Sequence, residues 1–310
     1  MTKVEWVARP GTIPESWNVV TGCSKISEGC KHCYAERMAR RLAGRCGYPE
    51  APHHFNVTLH PDRLKQPLHW KKPRTVFTCS MSDLFHVEVS DEFISKVFQV
   101  MYECPQHTFQ VLTKRPERMR HFILTGKYLR DGVRPIEWIW LGVTAENQAA
   151  ADERIPLLLQ TPAAVRFVSC EPLLGPIDLR RYLWCLDCAE EAAPCEPCLE
   201  TRLFDGPKLS WCITGGESGP GARPIYPQWA RSIRDQCLAS GTPWFFKQWG
   251  AWAPYIESSF VGEVTGHKVL PDGTFGEFGD GDTGIGMSRV GKKRAGHLFD
   301  EKVWHQWPER

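Results

Sequence analysis

Cys23, Cys30 and Cys33 lie within eleven residues, in Gly22-Cys23-Ser24-Lys25-Ile26-Ser27-Glu28-Gly29-Cys30-Lys31-His32-Cys33-Tyr34. The spacing is C-x6-C-x2-C. Thiolates are soft ligands, so three this close point to a metal or iron–sulfur centre. A closed zinc site takes four ligands, and here His32 or a distant side chain would have to complete it. A [4Fe–4S] cluster on three thiolates leaves one iron open to a substrate or cofactor. The spacing favours that open cluster; three unrelated core thiols are the bland alternative. Gly22 and Gly29 suit a loop that wraps an inorganic core.

A second set, Cys185, Cys188, Cys195 and Cys198, forms two CxxC knuckles six residues apart. Four thiolates complete a tetrahedron, so structural zinc is expected, with a second iron–sulfur cluster as the alternative. The surrounding segment is acidic and rich in Pro and Ala, which leaves a metal as its organiser. Six cysteines remain: Cys46, Cys79, Cys104, Cys170, Cys212 and Cys237. Core packing is the expected role of each, with a hydrogen-atom role open for those at strand ends.

The chain has 310 residues, 13 of them Cys, and a formal net charge of +2. Its hydrophobic content is 42% and its charged content 24%, which excludes a disordered or collagen-like chain. No apolar run reaches the ~18 residues of a membrane span. The N-terminal Met1-Thr2-Lys3-Val4-Glu5-Trp6 has no apolar signal core, so a cytoplasmic protein without a membrane partner is expected. In such a compartment the cysteines are not a disulfide framework.

Elements must hold these groups in place. β-rich runs recur at Trp17–Val20, Thr75–Cys79, Thr108–Leu112, Trp138–Val143, Val165–Ser169, Leu209–Thr214 and Pro243–Lys247. Helical patterns fall between them at Ala35–Leu42, Asp91–Glu103, Glu146–Gln160 and Gln228–Ser240. Ser90 is an N-cap for the second of these, and Pro156 predicts a break in the third. Strands alternating with helices imply a parallel sheet. Polar groups cluster after the strands: Ser80, Ser82, Asp83 and His86, then Lys114 and Arg115, Thr144 and Glu146, Glu171, Glu217, and Lys247. An α/β fold built as a partial or near-complete (β/α) barrel gathers strand ends in this way, and Cys23 follows the first of them.

The expected organisation is a first barrel part at 1–180, a four-Cys metal insertion at 181–204, the rest of the barrel at 205–250 and a Gly-rich C-terminal extension at 251–310. Gly215–Gly221 lacks the Lys-Ser/Thr of a phosphate loop. Gly279–Gly286 reads as a flexible loop or hairpin. Lys292-Lys293-Arg294 reads as a solvated basic turn, or as an arm folding over the barrel mouth to meet an anion.

A three-cysteine loop after the first strand of a β/α barrel resembles the radical S-adenosylmethionine (SAM) superfamily. The spacing is wider than the superfamily's commonest C-x3-C-x2-C. The chain more closely resembles a family of phage and bacterial radical-SAM-like proteins named for a three-Cys motif. The matching stretches are Gly29–Glu36, Met81–His86, Val111–Pro116, Cys170–Pro176, Gly215–Gly219 and Phe246–Gly250. The Leu112-Thr113-Lys114 strand end is also similar to that of spore photoproduct lyase, a more distant DNA-repairing family. The resemblance implies a radical SAM-type barrel in which Cys23, Cys30 and Cys33 bind a [4Fe–4S] cluster whose fourth iron is chelated by SAM. It places His32 near the adenine, with Tyr34 beside it. Ser80, Ser82 and Asp83 stand where the superfamily usually has Gly-Gly-Glu for the SAM amino group. Lys114, Thr144, Glu146, Glu171, Glu217 and Lys247 become candidates for SAM or substrate contacts.

The implied activity is one-electron cleavage of SAM to a 5′-deoxyadenosyl radical, fed by a donor such as flavodoxin or ferredoxin. The expected substrate is DNA, RNA or a nucleotide, from the lyase likeness, the basic residues Lys114, Arg115, Arg118, Arg120, Lys292, Lys293 and Arg294, and the abundant aromatics. The alternatives are a radical SAM enzyme acting on a peptide or small molecule, and a non-catalytic iron–sulfur or zinc module.

Overall fold

A computed structural model describes residues 4–126, 128, 134–183, 208–255, 267–277 and 284–309. The four-cysteine segment with Cys185, Cys188, Cys195 and Cys198 lies outside the described residues, as does the start of Gly279–Gly286. Seven strands form the main sheet: β1 (Ile13–Trp17), β2 (Arg74–Thr78), β3 (Thr108–Thr113), β4 (Ile139–Thr144), β5 (Val165–Cys170), β6 (Trp211–Gly215) and β7 (Trp244–Gln248). They stand in chain order, β1-β2-β3-β4-β5-β6-β7. The pairs β1/β2, β2/β3, β3/β4 and β6/β7 are parallel. An order that never reverses is the winding of a β/α barrel, whereas a doubly wound sheet reverses at a switch point. With β1 and β7 at the two ends of that order, the barrel is partial.

Every residue of β4 and of β6 is buried, as strands covered on both faces must be. β1 is only partly buried and carries Pro14, which an edge strand tolerates because one side of its backbone needs no partner. The helices are α1 (Tyr34–Leu42), α2 (Asp91–Tyr102), α3 (Pro116–Thr125), α4 (Gln148–Leu159) and α5 (Pro227–Ala239). In α2 the Ser90 hydroxyl accepts the Phe93 N–H at 3.3 Å, and Phe93, Ile94, Val97, Phe98, Val100 and Met101 are buried. Each such side chain stabilises the fold by about 1.5–3 kcal/mol.

Three sequence expectations need correction. The first strand does not run over Trp17–Val20. It ends at Trp17, because the Asn18 side chain turns away to accept from the Ser80 hydroxyl and the Met81 N–H, each at 3.1 Å. Val20–Thr21 pairs instead with Thr58–Leu59 in a separate antiparallel ribbon. Pro156 does not break α4: the helix runs three residues past it, held by the buried Ile155 and Leu158 on either side. The helix α3, which begins at Pro116, has no counterpart among the predicted elements.

The chain divides into two compact units. The first is Met1–Val143 with Pro156–Phe167 and Arg310; the second is Thr144–Ile155 with Val168–Glu309. The first unit is centred on Trp6, Trp17, Phe85, Phe98 and Phe109, all fully buried. The second buries Trp211, Trp244, Phe245, Phe246, Trp249 and Phe299. Its tail forms an antiparallel sheet of β8 (Trp252–Pro254), β9 (His267–Val269), β10 (Phe275–Glu277) and β11 (Ile285–Arg289), in the order β8-β11-β9-β10. Residues 296–306 then run beside β7. The Phe246 N–H donates to the Trp304 carbonyl and the Trp249 indole to the Leu298 carbonyl, each at 2.8 Å. This cover protects the sheet edge at β7.

Candidate cluster site

In the first unit, the three-cysteine loop starts at Gly22 and ends where α1 begins. Gly22 has φ +81°, and a Cβ there would lie 2.1 Å from the Asn56 carbonyl oxygen. No other residue fits: its N–H donates to the Met81 carbonyl and the next N–H, of Cys23, to that of Phe55. Cys33 occupies the N-cap position of α1, so the positive end of a nine-residue helix faces that thiol. Cys23, Cys30 and Cys33 are all partly exposed.

Arg115 ties the start of the loop to the strand ends. Its guanidinium donates to the Asp83 carboxylate at 2.9 Å, to the Ser24 carbonyl at 3.1 Å, to the Ser24 hydroxyl at 3.0 Å and to the Cys23 thiol at 3.6 Å. Asp83 is buried, and its carboxylate also accepts from the Thr113 hydroxyl at 2.7 Å and from the Phe85 and Lys114 N–H groups at 3.0 Å. Four donors thus hold one carboxylate, which in turn fixes Arg115. His86 Nδ1 accepts the Glu88 N–H at 3.2 Å, which assigns its proton to Nε2 and makes it a donor to the Ser24 hydroxyl at 2.7 Å. Burial and the nearby Arg115 hold His86 below its ordinary 6.5, in the neutral form this bond needs.

Charges then sort the thiols. Burial, with the Asp83 charge behind it, pushes Cys23 up, and Arg115 opposes that rise. Burial also acts upward on Cys30, but the Lys114 charge and hydrogen bonds from Ile26 and Ser27 outweigh it and hold the thiol below its ordinary value. Lys25, ion-paired to Glu36 at 2.8 Å, adds positive charge near Cys30 and Cys33. Among the described residues, no three His, Cys, Asp or Glu side chains already stand close enough to hold a metal.

Of the other predicted residues in this unit, Ser80 donates to Asn18 at 3.1 Å and Ser82 to the Val20 carbonyl at 2.8 Å, so both brace the segment before the loop. His32 is half-buried and Tyr34 is 56% exposed. Arg118, one of the residues expected to meet nucleic acid, donates to the Phe85 and His86 carbonyls and pairs with Asp91 at 2.6 Å.

In the second unit, each predicted carboxylate has a cation. Glu146 is buried and paired with Arg154 at 2.9 Å; Arg154 also donates to the Thr144 carbonyl at 2.8 Å. Lys247 donates to Glu171 at 2.7 Å, and a Cβ on Gly215 would lie 3.3 Å from both of them. Glu217 is buried and accepts the Arg223 N–H and Nε–H at 2.9 Å and Nη2–H at 2.8 Å. The glycines beside it serve close backbone crossing: a Cβ on Gly216 would meet the Trp249 carbonyl at 2.0 Å. The sequence reading missed Asn18, Arg154 and Arg223. The one available signal was that a buried carboxylate requires a cation, and it does not say which.

Five of the six single cysteines are core, and Cys46 departs from that expectation. Cys79, Cys104, Cys170, Cys212 and Cys237 are buried, and Cys46 alone of the six is exposed. Burial pushes Cys79 up to about 12. Contact with Cys212 and burial push Cys170 up, and burial with the same neighbour does so for Cys237.

No curated protein matches the sequence. Two solved structures do. Spore photoproduct lyase complexed with dinucleoside spore photoproduct is 13% identical over 88% of this chain and 67% of that one, with a TM-score of 0.39. A point mutant of spore photoproduct lyase is 12% identical over the same shares, with a TM-score of 0.37. The sequence profile of a family described as proteins of unknown function, DUF5131, matches residues 1–308, and the chain belongs to that family.

Proposed function

We propose that this protein is a radical SAM enzyme that holds a [4Fe–4S] cluster on Cys23, Cys30 and Cys33 and modifies or repairs a nucleic acid or nucleotide. The loop carries the reading: three accessible thiols between β1 and the N-terminus of α1, with Lys25, Lys114 and Arg115 set against them. Three soft thiol donors are the chemistry such a cluster takes, and the loop would have to draw them together around it. Thiolates must form before iron binds, and the cations favour them. Three thiolates leave one iron for SAM, and the bound pair supplies one-electron chemistry at the sulfonium.

The chain's own residues hold and orient. Arg115 fixes the Cys23 end of the loop, and Asp83 and His86 fix Arg115 and Ser24. The N-terminus of α1 receives Cys33. Lys114, adjoining that network, would contact the ribose or carboxylate of SAM or the substrate, and His32 would lie near the adenine, with Tyr34 on the cofactor side. Thr144, Glu146, Glu171, Glu217 and Lys247 serve the second unit's contacts to cofactor or substrate, as members of the pairs described. The family resemblance to three-Cys-motif proteins of phage and bacteria belongs to the same reading, as do a flavodoxin- or ferredoxin-class electron donor, a cytoplasmic location and structural zinc at Cys185, Cys188, Cys195 and Cys198.

Anaerobic reconstitution tests it. The wild-type chain should take up about four iron and four sulfide, turn brown, and release 5′-deoxyadenosine from SAM under a strong reductant. Cys30→Ala should lose the chromophore, whereas Cys188→Ala should keep it and lose zinc. Equal iron uptake by Cys30→Ala and wild type would sink the proposal.

A further inference from the structure

Two of the basic residues singled out in the sequence, Arg115 and Arg118, do not offer accessible positive charge beside the cysteine loop. Both are engaged with the chain's own carbonyls and carboxylates. Accessible charge instead continues directly from Cys33 along α1. Between Lys31 and Arg45 the sequence holds five cations and one carboxylate, Glu36, in a chain of net charge +2 overall. Glu36 is already paired with Lys25 at 2.8 Å. Lys31, Arg40, Arg41 and Arg45 are exposed and form no ion pair among the described residues.

Helix geometry arranges these groups as a stripe. At 3.6 residues per turn, Tyr34, Arg37, Arg40 and Arg41 fall within about 120° of the circumference. The opposite face carries Ala35 and Ala39, packed in a cluster with Tyr48 and Met81, so the stripe faces outward. Tyr34 is 56% exposed at the head of the stripe, and the Arg37 guanidinium lies 5.9 Å from its ring centre.

We propose that the outer face of α1, extended by Lys31 and Arg45, binds the sugar–phosphate backbone of single-stranded nucleic acid and leads the strand to the cysteine loop. This rests on the nucleic-acid reading above and names the surface that serves it. The chemistry favours nucleic acid over an acidic protein for two reasons. Four of the five cations are arginines, whose planar forks match phosphate oxygens in pairs. An accessible aromatic ring stands at the head of the stripe, and base stacking on such rings is the usual companion of backbone-tracking charge.

The test is fluorescence anisotropy of a fluorescein-labelled 20-nucleotide oligothymidylate over a range of KCl concentrations. The variants are the triple neutralisation Arg40→Gln/Arg41→Gln/Arg45→Gln and a control, Lys71→Gln/Lys72→Gln, two exposed lysines of the same unit just before β2. Loss of three phosphate contacts on a single strand should flatten the log–log salt slope by about 2 and weaken binding by about tenfold or more at ~0.1 M salt. The control should keep the wild-type slope. Circular dichroism and iron content of the same preparations should match wild type, since all of these side chains are exposed. Wild-type chain that does not bind the oligonucleotide, or a triple variant that binds it with unchanged slope, overturns the proposal. So does a triple variant that keeps oligonucleotide affinity and loses electron uptake from a reduced acidic ferredoxin, which would assign the stripe to a protein partner. Iron uptake and SAM cleavage are read separately, so failure of the radical SAM reading is distinguishable from failure of the stripe.

Discussion

Replacing Arg115 by Ala is the sharpest single test of how the cysteine loop is held. The side chain is 15% exposed and its partner Asp83 8%, so the pair is largely withdrawn from water. Removing one member of a buried pair costs about 3–5 kcal/mol, mostly from the charge left behind. Asp83 keeps three other donors, from Thr113, Phe85 and Lys114, which reduces that to about 2 kcal/mol. The two hydrogen bonds to Ser24 are at an exposed edge and add about 1 kcal/mol together. The expected loss is therefore about 3 kcal/mol, a large part of the ~5–15 kcal/mol that holds a domain. Urea unfolding of the cluster-free protein, followed by tryptophan fluorescence, should show a lower midpoint with unchanged slope. A cycle with Asp83→Asn isolates the pair, and its coupling should exceed about 1 kcal/mol. A second readout separates a positioning role from general destabilisation. Arg115 opposes the rise of the Cys23 thiol caused by burial and Asp83. Without it that thiol moves further up, so the pH at which iron loading is half-maximal should rise. Arg115→Lys restores the charge but not the fork, and should recover the pH dependence more fully than the stability. If Arg115→Ala unfolds at the wild-type urea concentration and loads iron with an unchanged pH profile, the reasoning is wrong.

Three more outcomes follow from the first unit. His60, His86 and His107 are each held below 6.5, first of all by burial, so the unfolded chain takes up protons at a pH where the folded chain does not. Stability should be full above pH 6.5 and fall as the pH drops through the lower folded values, and His107→Gln should shallow that fall; a midpoint that rises on acidification contradicts it. Gln110 is fully buried with neither amide atom bonded to the protein, so Gln110→Met should raise the urea midpoint by the equivalent of about 1–2 kcal/mol; a drop would mean that its amide has a partner such as bound water. Gly22→Ala meets the Asn56 carbonyl at 2.1 Å on a left-handed backbone and should cost more than ~2 kcal/mol, read as early proteolysis within residues 22–33; wild-type resistance would show that the loop relaxes freely.

Much of the architecture was readable because local rules and burial agree there. The strands from β2 to β7 appear within two residues of the β-rich runs, since strands buried on both faces read as apolar stretches wherever they occur. Ser90 and Pro227 marked helix starts by their chemistry alone. The misreadings lie where a distant group decides. β1 stops at Trp17 because Asn18 answers to Ser80 and Met81, some sixty residues away, and no local pattern encodes that. Pro156 costs α4 one hydrogen bond but does not end it, because Ile155 and Leu158 are buried beside it. The short tail strands pair with each other across gaps of up to thirty residues and carry glycines, which hide a strand from any propensity argument.

The site residues show the same division between what a residue type reveals and what its partner decides. Asp83, Glu146, Glu171 and Glu217 were conspicuous as carboxylates after strands, yet each is ion-paired, to Arg115, Arg154, Lys247 and Arg223. That changes what each end can offer a ligand. An ion-paired, buried carboxylate such as Glu146 recruits a cationic group only by giving up its own arginine, a loss of several kcal/mol. The cations have more to give. Lys247 donates to Glu171 through one ammonium proton and has two others, and Lys114 helps to lower Cys30. The thiols follow the same rule. The Lys114 charge helps hold Cys30 below its ordinary value, whereas burial and the Asp83 charge push Cys23 up, so Cys30 gives up its proton more readily than Cys23. Arg115 donates to both that Cys23 thiol and the carboxylate, which makes it the residue that holds the Cys23 rise in check.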